Sequence, residues 1–339
     1  MTETPDHICD IGDLVLRYGQ TLPGVQIAYM TLGTLAPDGR NAVLIAHGYT
    51  SSHHLHGSSH DAWHGLVGPG HPIDTDRLFV ICSNMLGSSY GSTGPASLNP
   101  ATGKAYGPDF PPITVADIVT AQRHVLDRLG VKHLVAVVGP SFGGFQSFQW
   151  AVTYPDFVDG IVPIVSSPMK GNDAELHALE QGLAADPHWN GGDYYETGNV
   201  KETLTKIREA MLRHFGIEAV LQSAFPDPAA RDKEIHRQAH DWAQVFDANS
   251  LLVLGHALQR FDTEPDFPRI RAEVLYVLSR TDKLFPPSLA PDVTARLHAA
   301  GVRASYFEID SACGHLAFGI DAAKWAPALR AFMERITPL

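Results

Sequence analysis

Short runs of apolar residues alternate along this chain with segments in which apolar residues recur every three or four positions. Several runs, among them VLIAH, LFVIC, LVAVV and VLYVL, are almost wholly apolar, as strands covered on both faces are. The pattern predicts an α/β fold with a mostly parallel sheet flanked by helices. The eight predicted strands are Leu14–Arg17, Val25–Leu32, Ala42–His47, Leu78–Cys82, Leu134–Val138, Ile161–Val165, Val274–Leu278 and Ala304–Ile309.

The strand–helix alternation stops in the middle of the chain. The segments VKETLTKIREAMLRHFG and RDKEIHRQAHDWAQVF are charged and have helical periodicity, and HWNGGDYYETGN interrupts the region. Strand, helix and strand then follow one another again to the C-terminus. We therefore predict one α/β core, formed by residues 1–168 and 263–339, with a helical lid inserted at residues 169–262.

The composition excludes several classes of function. Apolar residues make up 44% of the 339 residues. The chain has 25 Lys and Arg and 37 Asp and Glu, which gives a formal net charge of −12 at pH 7. An acidic balance argues against a nucleic-acid binder or a protein of anionic membrane surfaces. The N-terminal residues have no signal-peptide pattern, and no apolar run approaches the ~20 residues of a membrane helix. We expect a cytoplasmic protein.

Cysteine and histidine provide no metal or redox motif. Cys9, Cys82 and Cys313 form no CxxC pair, so neither a disulfide framework nor a zinc site is predicted. One segment is rich in histidine, but its spacing matches no standard metal site, and we interpret it as a polar loop in a protein without a cofactor. Its histidines are His53, His54, His56, His60, His64 and His71.

The pattern Gly-x-Ser-x-Gly occurs twice, around Ser89 and around Ser141. After the first match comes STGP, which cannot continue as a helix. The second match lies between the strand LVAVV and the helical pattern GGFQSFQWAVTYP. A strand, this pattern and a helix in succession are the arrangement of a nucleophile elbow. We therefore predict that Ser141 is a nucleophile and that Ser89 is not.

A serine nucleophile needs a histidine base that is oriented by a carboxylate. In this architecture the acid and then the histidine follow the serine along the chain, each in a loop after a late strand. Asp282 follows VLYVL and His315 follows the last strand, with Asp310 as the alternative acid. Cys313, near this site, is expected to be a small buried hydrophobic residue. The predicted triad is Ser141, Asp282 and His315.

Two backbone N–H groups are expected to form an oxyanion hole. One belongs to the residue after the nucleophile and the other to the loop after the third strand. These are Phe142 and, in the run VLIAHGYTSS, Tyr49.

Several segments that are longer than these motifs resemble the homoserine O-acetyltransferase branch of the α/β-hydrolase superfamily. The resemblance runs from about Tyr29 to Phe332 and implies an α/β-hydrolase fold with an eight-stranded sheet. It also implies the same triad, and a homodimer built through the helical lid. The segments that carry it are GSTGPASLNPATGKAYGPDFPPITVADIVTAQRHVLDRLG (91–130), GPSFGGFQSFQWAVTYPD (139–156), DPHWNGGDYY (186–195), DKLFPP (282–287) and GHLAF (314–318).

The positions at which the family holds homoserine differ in this chain. They read Arg208, Phe215 and Leu316, where the family has arginine, tyrosine and aspartate. An ammonium group without its carboxylate partner loses about 2–5 kcal/mol of binding. We therefore expect homoserine to be a poor acceptor.

Three functions are compatible with these residues. The preferred one is a serine esterase that hydrolyses small short-acyl esters through an acyl-enzyme on Ser141. The alternative is an O-acyltransferase that moves an acetyl group from acetyl-CoA to a small alcohol. The third, a catalytically silent binding protein, is disfavoured by the complete Ser, Asp and His set.

Overall fold

The computed structural model describes residues 7–55, 62–169, 173–196 and 200–337. Its main sheet has eight strands in the order β1-β2-β6-β3-β7-β8-β9-β10. The pairs β1–β2 and β2–β6 are antiparallel and the others parallel, which confirms the predicted mostly parallel sheet. The strands are β1 His7–Val15, β2 Thr21–Leu32, β3 Ala42–Ala46, β6 Phe79–Ser83, β7 Leu134–Pro140, β8 Val158–Ile164, β9 Glu273–Ser279 and β10 Ala304–Ile309, with a separate two-stranded ladder of β4 Val67–Gly68 and β5 Ile73–Asp74.

The first strand differs from its prediction. It covers His7–Val15 rather than Leu14–Arg17. Its pairing with β2 shifts register on both sides of Gly12, so the buried side chains of Cys9, Ile11 and Leu14 are unevenly spaced. A β-bulge of this kind breaks the alternation that identifies a strand in a sequence. Each of the other seven strands overlaps its predicted run.

Helices cover both faces of the sheet. On one face α1 and α2 pack in a core that contains the fully buried Trp150, and on the other α10 contributes the fully buried Trp325. The start of α1 has a capping box between Thr114 and Asp117, and its end has Gly130 with φ of 81°. The helices that cover the two faces are α1 Val115–Leu129, α2 Phe142–Thr153, α8 Ala290–Ala299, α9 Ala317–Ile320 and α10 Ala322–Ile336.

Among the described residues, five further α-helices lie between β8 and β9. An isolated bridge joins Met169 to Asp262, and Thr263 donates two hydrogen bonds to the carbonyl of Pro168. The two ends of this helical segment therefore lie side by side. The division into a core and a lid stays a prediction, as does the homodimer. The helices are α3 Asp173–Ala184, α4 Lys201–Phe215, α5 Ile217–Leu221, α6 Pro228–Val245 and α7 Ala248–Gln259.

No helix in the described part of the chain combines the length and the apolar character needed to cross a membrane.

A buried polar network joins the end of β3 to the helices beneath it. Gln146 of α2 donates to the carbonyl of His47 at 3.1 Å and accepts from Gln122 of α1 at 2.6 Å. Gln122 in turn accepts from the indole N–H of Trp150 at 2.8 Å. Nε2 of His47 accepts the backbone N–H of Met85 at 3.2 Å. Because these groups satisfy one another away from water, the network fixes the position where β3 ends.

The network makes stability dependent on pH through His47. Burial lowers the pKa of His47 from 6.5 to about 4. The folded state holds the neutral imidazole. The contribution of His47 to the free energy of unfolding is therefore complete above about pH 6.5, and it decreases as the pH falls towards 4, by at most about 1.4 kcal/mol per pH unit. Urea unfolding between pH 7 and 4.5 should show the stability difference between wild type and His47→Asn narrowing as the pH falls. A difference that is constant over this range would contradict the assignment.

Candidate active site

Ser141 lies between β7 and α2 in a strained backbone conformation. Its φ is 53° and its ψ is −117°, a region that residues other than glycine seldom adopt. The turn is tight because α2 begins directly against β3, and a Cβ at Gly143 would overlap the carbonyl oxygen of Ala46. A nucleophile elbow requires this sharp connection between strand and helix.

Ser89, in the other Gly-x-Ser-x-Gly match, has a different environment. The turn around it contains Gly87 and Tyr90 with φ of 82° and 69°, and no helix follows. The hydroxyl of Ser89 accepts the backbone N–H of Asp247 at 2.9 Å. Asp247 caps the start of α7, so Ser89 helps to hold this helix against the core.

His315 is paired with Asp282. Their Nδ1 and Oδ2 atoms are 2.9 Å apart, and both side chains are buried. The other oxygen of Asp282 accepts the backbone N–H of Leu284 at 2.9 Å, which holds the carboxylate in place. Asp310, the alternative acid, instead forms an exposed ion pair with Arg280 at 2.6 Å.

Ser141 lies at the same edge of the sheet as this pair. The strands β7 to β10 are neighbours and parallel, so the loops after them share one edge. Phe145, on α2, contacts the ring of Phe285 at 5.8 Å, and Phe285 contacts the ring of His315 at 5.9 Å. Within the described residues no hydrogen bond joins Ser141 to His315; in enzymes without substrate this bond is often long.

The two predicted oxyanion donors are adjacent to each other. The rings of Tyr49 and Phe142 are stacked at 6.0 Å. A Cβ added at Gly48 would lie 3.9 Å from Cβ of Ser141, so the loop before Tyr49 lies against the serine. Among the residues that the structure describes, neither backbone N–H, of Tyr49 or of Phe142, donates to an acceptor.

Arg208 of α4 contacts the loop that contains Tyr49. It donates to the hydroxyl of Thr50 at 2.7 Å and lies over the ring of Trp242, with 5.1 Å from its guanidinium carbon to the ring centroid. Trp242 itself donates to the carbonyl of Thr50 at 3.0 Å. The Nε of Arg208 is shielded from solvent without a partner, and burial lowers the pKa of the guanidinium to about 10.

The side of the site formed by Phe215 and Leu316 is apolar. The ring of Phe215 is 5.0 Å from that of His315. Cys313 is half-buried against the core, with a free thiol. Leu316, directly after the histidine, packs against an apolar cluster from α4, α5 and α6 whose members are Leu212, Ile217, Leu221, Ile235 and Ala239.

The four histidines of the histidine-rich segment that the structure describes do not gather in one place. His53 is buried with its ring 4.3 Å from that of His54, whereas His64 and His71 line a groove beside α10. No group of three potential metal ligands occurs within the described ranges of the chain. The remaining two members, which lie outside the described residues, are His56 and His60.

Several contacts of the site have no clear signal in the sequence. Arg208 is predicted from the sequence, whereas Thr50 and Trp242, its two neighbours in the structure, are not. Thr50 directly follows Tyr49, so its place in the loop was the available clue. Trp242 lies in α6, about 190 residues further on, and its contact depends on how the inserted helices pack against the core.

Comparison with known proteins identifies the family. A model of the α/β-hydrolase fold matches residues 41–322. The chain is 38% identical over 359 aligned residues to a homoserine O-acetyltransferase of Symbiobacterium thermophilum, covering 95% of this chain and 92% of that one. The structure is similar to a homoserine O-acetyltransferase of Bacillus anthracis, with a TM-score of 0.89, 28% identity and 100% of both chains covered. It is also similar to esterase E22, with a TM-score of 0.88, 26% identity and coverage of 97% and 100%.

These relatives reverse the preference between the two enzymatic functions predicted from the sequence. The named relatives at this level of identity support acyl transfer, the alternative above, better than the preferred ester hydrolysis. Esterase E22 shows that the same fold is also found in a hydrolase. The chain belongs to the homoserine O-acetyltransferase branch of the α/β-hydrolase superfamily, whose members support its assignment as an acyl-transferring enzyme.

Proposed function

We propose that this protein is a serine O-acyltransferase. It moves a short acyl group from a thioester such as acetyl-CoA, through Ser141, to the hydroxyl of a small alcohol that carries a carboxylate. The identity to homoserine O-acetyltransferases over 95% of the chain supports the transfer. The observation that supports the carboxylate, and carries this proposal, is the enclosed guanidinium of Arg208 with no acidic partner in the described residues.

In the first half-reaction Ser141 attacks the thioester carbonyl while His315 takes the proton from its hydroxyl. Asp282 accepts the Nδ1–H of His315, which leaves Nε2 free to act as the base. The N–H groups of Tyr49 and Phe142 hold the negative charge that forms on the carbonyl oxygen. The thiol then leaves with the proton from His315, and the acyl group stays on Ser141.

In the second half-reaction the acceptor hydroxyl takes the place of the thiol. His315 removes its proton, the oxygen attacks the acyl carbonyl, and the proton returns to Ser141 as the ester product leaves. Water would follow the same route and give hydrolysis. The function therefore depends on which hydroxyl is held near the acyl-enzyme.

Arg208 is the group that would hold such an acceptor. Its Nη1 donates a hydrogen bond to the hydroxyl of Thr50, which is next to the predicted oxyanion donor Tyr49. Its Nε has no partner among the described residues. A desolvated guanidinium without an acid nearby favours binding of an anion, and a carboxylate matches its planar donors. A hydroxy acid bound there would have its charged end beside the oxyanion loop.

The wall near His315 favours an acceptor without an ammonium group. Phe215 and Leu316 offer no carboxylate, and Leu316 packs against other apolar side chains. A homoserine ammonium at this wall would be desolvated without a counter-ion. The same apolar wall is the observation that favours a hydrolase as the second candidate, together with the likeness to esterase E22.

The acceptor preference is tested with three alcohols. CoA release from acetyl-CoA is followed through its free thiol with 4-hydroxybutyrate, with homoserine and with 1-butanol, which lacks the carboxylate. We expect 4-hydroxybutyrate to accelerate release most, and homoserine to be weaker by about 30-fold or more because its ammonium is unpaired. Release that no alcohol accelerates, together with rapid hydrolysis of p-nitrophenyl acetate, would establish the hydrolase instead.

The same assay on Leu316→Asp examines the role of the apolar wall. A carboxylate at this position should improve the use of homoserine by tenfold or more relative to 4-hydroxybutyrate. The matched control is Leu316→Asn, because asparagine has nearly the shape of aspartate but no charge. This variant should use homoserine and 4-hydroxybutyrate in nearly the same ratio as the wild type. Efficient acetylation of homoserine by the wild type would contradict the expectation that the apolar wall disfavours an ammonium group.

The choice of nucleophile is tested by two serine variants. Ser141→Ala should lower the rate of p-nitrophenyl acetate hydrolysis at least a thousandfold because no acyl-enzyme can form. Ser89→Ala removes only the acceptor of the Asp247 N–H, and it should keep its activity while losing about 1 kcal/mol of unfolding free energy. The opposite pattern in the two variants would show that the elbow was chosen wrongly.

A further inference from the structure

His47 lies at the end of β3 with its side chain fully inside the protein. Its Nε2 accepts the backbone N–H of Met85 at 3.2 Å, so this nitrogen carries no proton in the neutral ring. The proton is therefore on Nδ1, which lies 2.9 Å from the carbonyl oxygen of Gly48. The imidazole thus donates a hydrogen bond to the peptide group that joins Gly48 to Tyr49.

That peptide group also contains the N–H of Tyr49. In a trans peptide the carbonyl and the N–H point in opposite directions, and no peptide bond in the described residues is cis. A carbonyl of Gly48 held by His47 therefore turns the N–H of Tyr49 away from the imidazole. This N–H has no acceptor in the described part of the chain, and the loop that bears it lies against Ser141.

The backbone of His47 is held by the helix that begins at the nucleophile. Gln146 of α2 donates to the carbonyl of His47 at 3.1 Å. Phe142, the other predicted oxyanion donor, is the first residue of this helix. The loop with Tyr49 and the helix with Phe142 are therefore connected through His47 and Gln146, which sets the relative position of the two N–H groups.

We propose that His47 is a positioning residue for acyl transfer, whose Nδ1–H orients the Gly48–Tyr49 peptide so that the Tyr49 N–H stabilises the oxyanion. The inference rests on the proposed function, because it requires a tetrahedral intermediate at Ser141. The burial that lowers the pKa of His47 keeps the ring neutral at physiological pH. Neighbouring His53 and His54 also lower this pKa, whereas the hydrogen bonds with Gly48 and Asn84 raise it. His47 does not touch the reacting atoms.

Two conservative variants separate this role from simple filling of the core. The amide nitrogen of asparagine lies near the place of Nδ1, so His47→Asn keeps a donor for Gly48 and loses the acceptor for Met85. Glutamine reaches the place of Nε2, so His47→Gln keeps the acceptor and loses the donor. Each variant breaks one hydrogen bond of similar strength, and comparable losses of stability are expected.

The experiment measures acylation by p-nitrophenyl acetate, from the burst of nitrophenol, together with kcat, KM and thermal unfolding. We expect His47→Gln to lose about 100-fold in the acylation rate with KM changed less than threefold, because an oxyanion donor acts mainly in the transition state. His47→Asn should stay within tenfold of wild type. Equal losses in the two variants, or a larger loss in His47→Asn, would overturn the proposal.

A third variant applies if the substitutions at His47 do not fold. Gln146→Met removes the donor to the His47 carbonyl and leaves the imidazole intact, and kcat should fall severalfold with KM unchanged. An unchanged kcat would also overturn the proposal. The assay reports acylation whichever acceptor is used, so a wild type that acylates but ignores alcohols refutes only the transferase. A wild type that forms no acyl-enzyme refutes both.

Discussion

The whole site depends on how closely the start of α2 approaches the end of β3. Gly143 lies against the carbonyl of Ala46 with no room for a Cβ, and Ser141, two residues earlier, has a φ of 53°. Strain of this kind costs of order 1–3 kcal/mol and persists only where the surrounding structure holds it. Here the buried strands β3, β7 and β8 and the network around Gln146 supply that support.

The two halves of the site have different origins in the fold. The serine, the aspartate and the histidine follow strands of the sheet and are positioned by a rigid core. Arg208, Phe215 and Trp242 come from helices between β8 and β9, and Arg208 is the residue proposed to hold the acceptor. Under the proposed function, formation of the acyl-enzyme would rely on the sheet, and the choice between water and an alcohol would rely on these helices. This separation is consistent with transferases and an esterase among proteins of the same fold.

Much of the fold could be predicted because its signals are local. A strand covered on both faces is an apolar run, and the elbow at Ser141 is a strand, a turn and a helix in direct succession. The sequence favours Asp282 over Asp310 because Asp282 lies in the loop after a late strand whereas Asp310 lies at a strand end, and in the structure Asp282 is the carboxylate 2.9 Å from His315. The extent of β1 was predicted wrongly because the bulge at Gly12 breaks the alternation. Contacts such as that of Trp242 with Thr50 join distant segments, and no local pattern contains them.

The bridge between Met169 and Asp262 has a consequence for how this protein family diversifies. Because the two ends of the segment are already joined, the entropic cost of closing it grows slowly with its length, by about 0.6 kcal/mol for each doubling. Under the proposed function, the segment that carries Arg208 and Phe215 could therefore vary among relatives while the strands that precede Ser141, Asp282 and His315 stay the same.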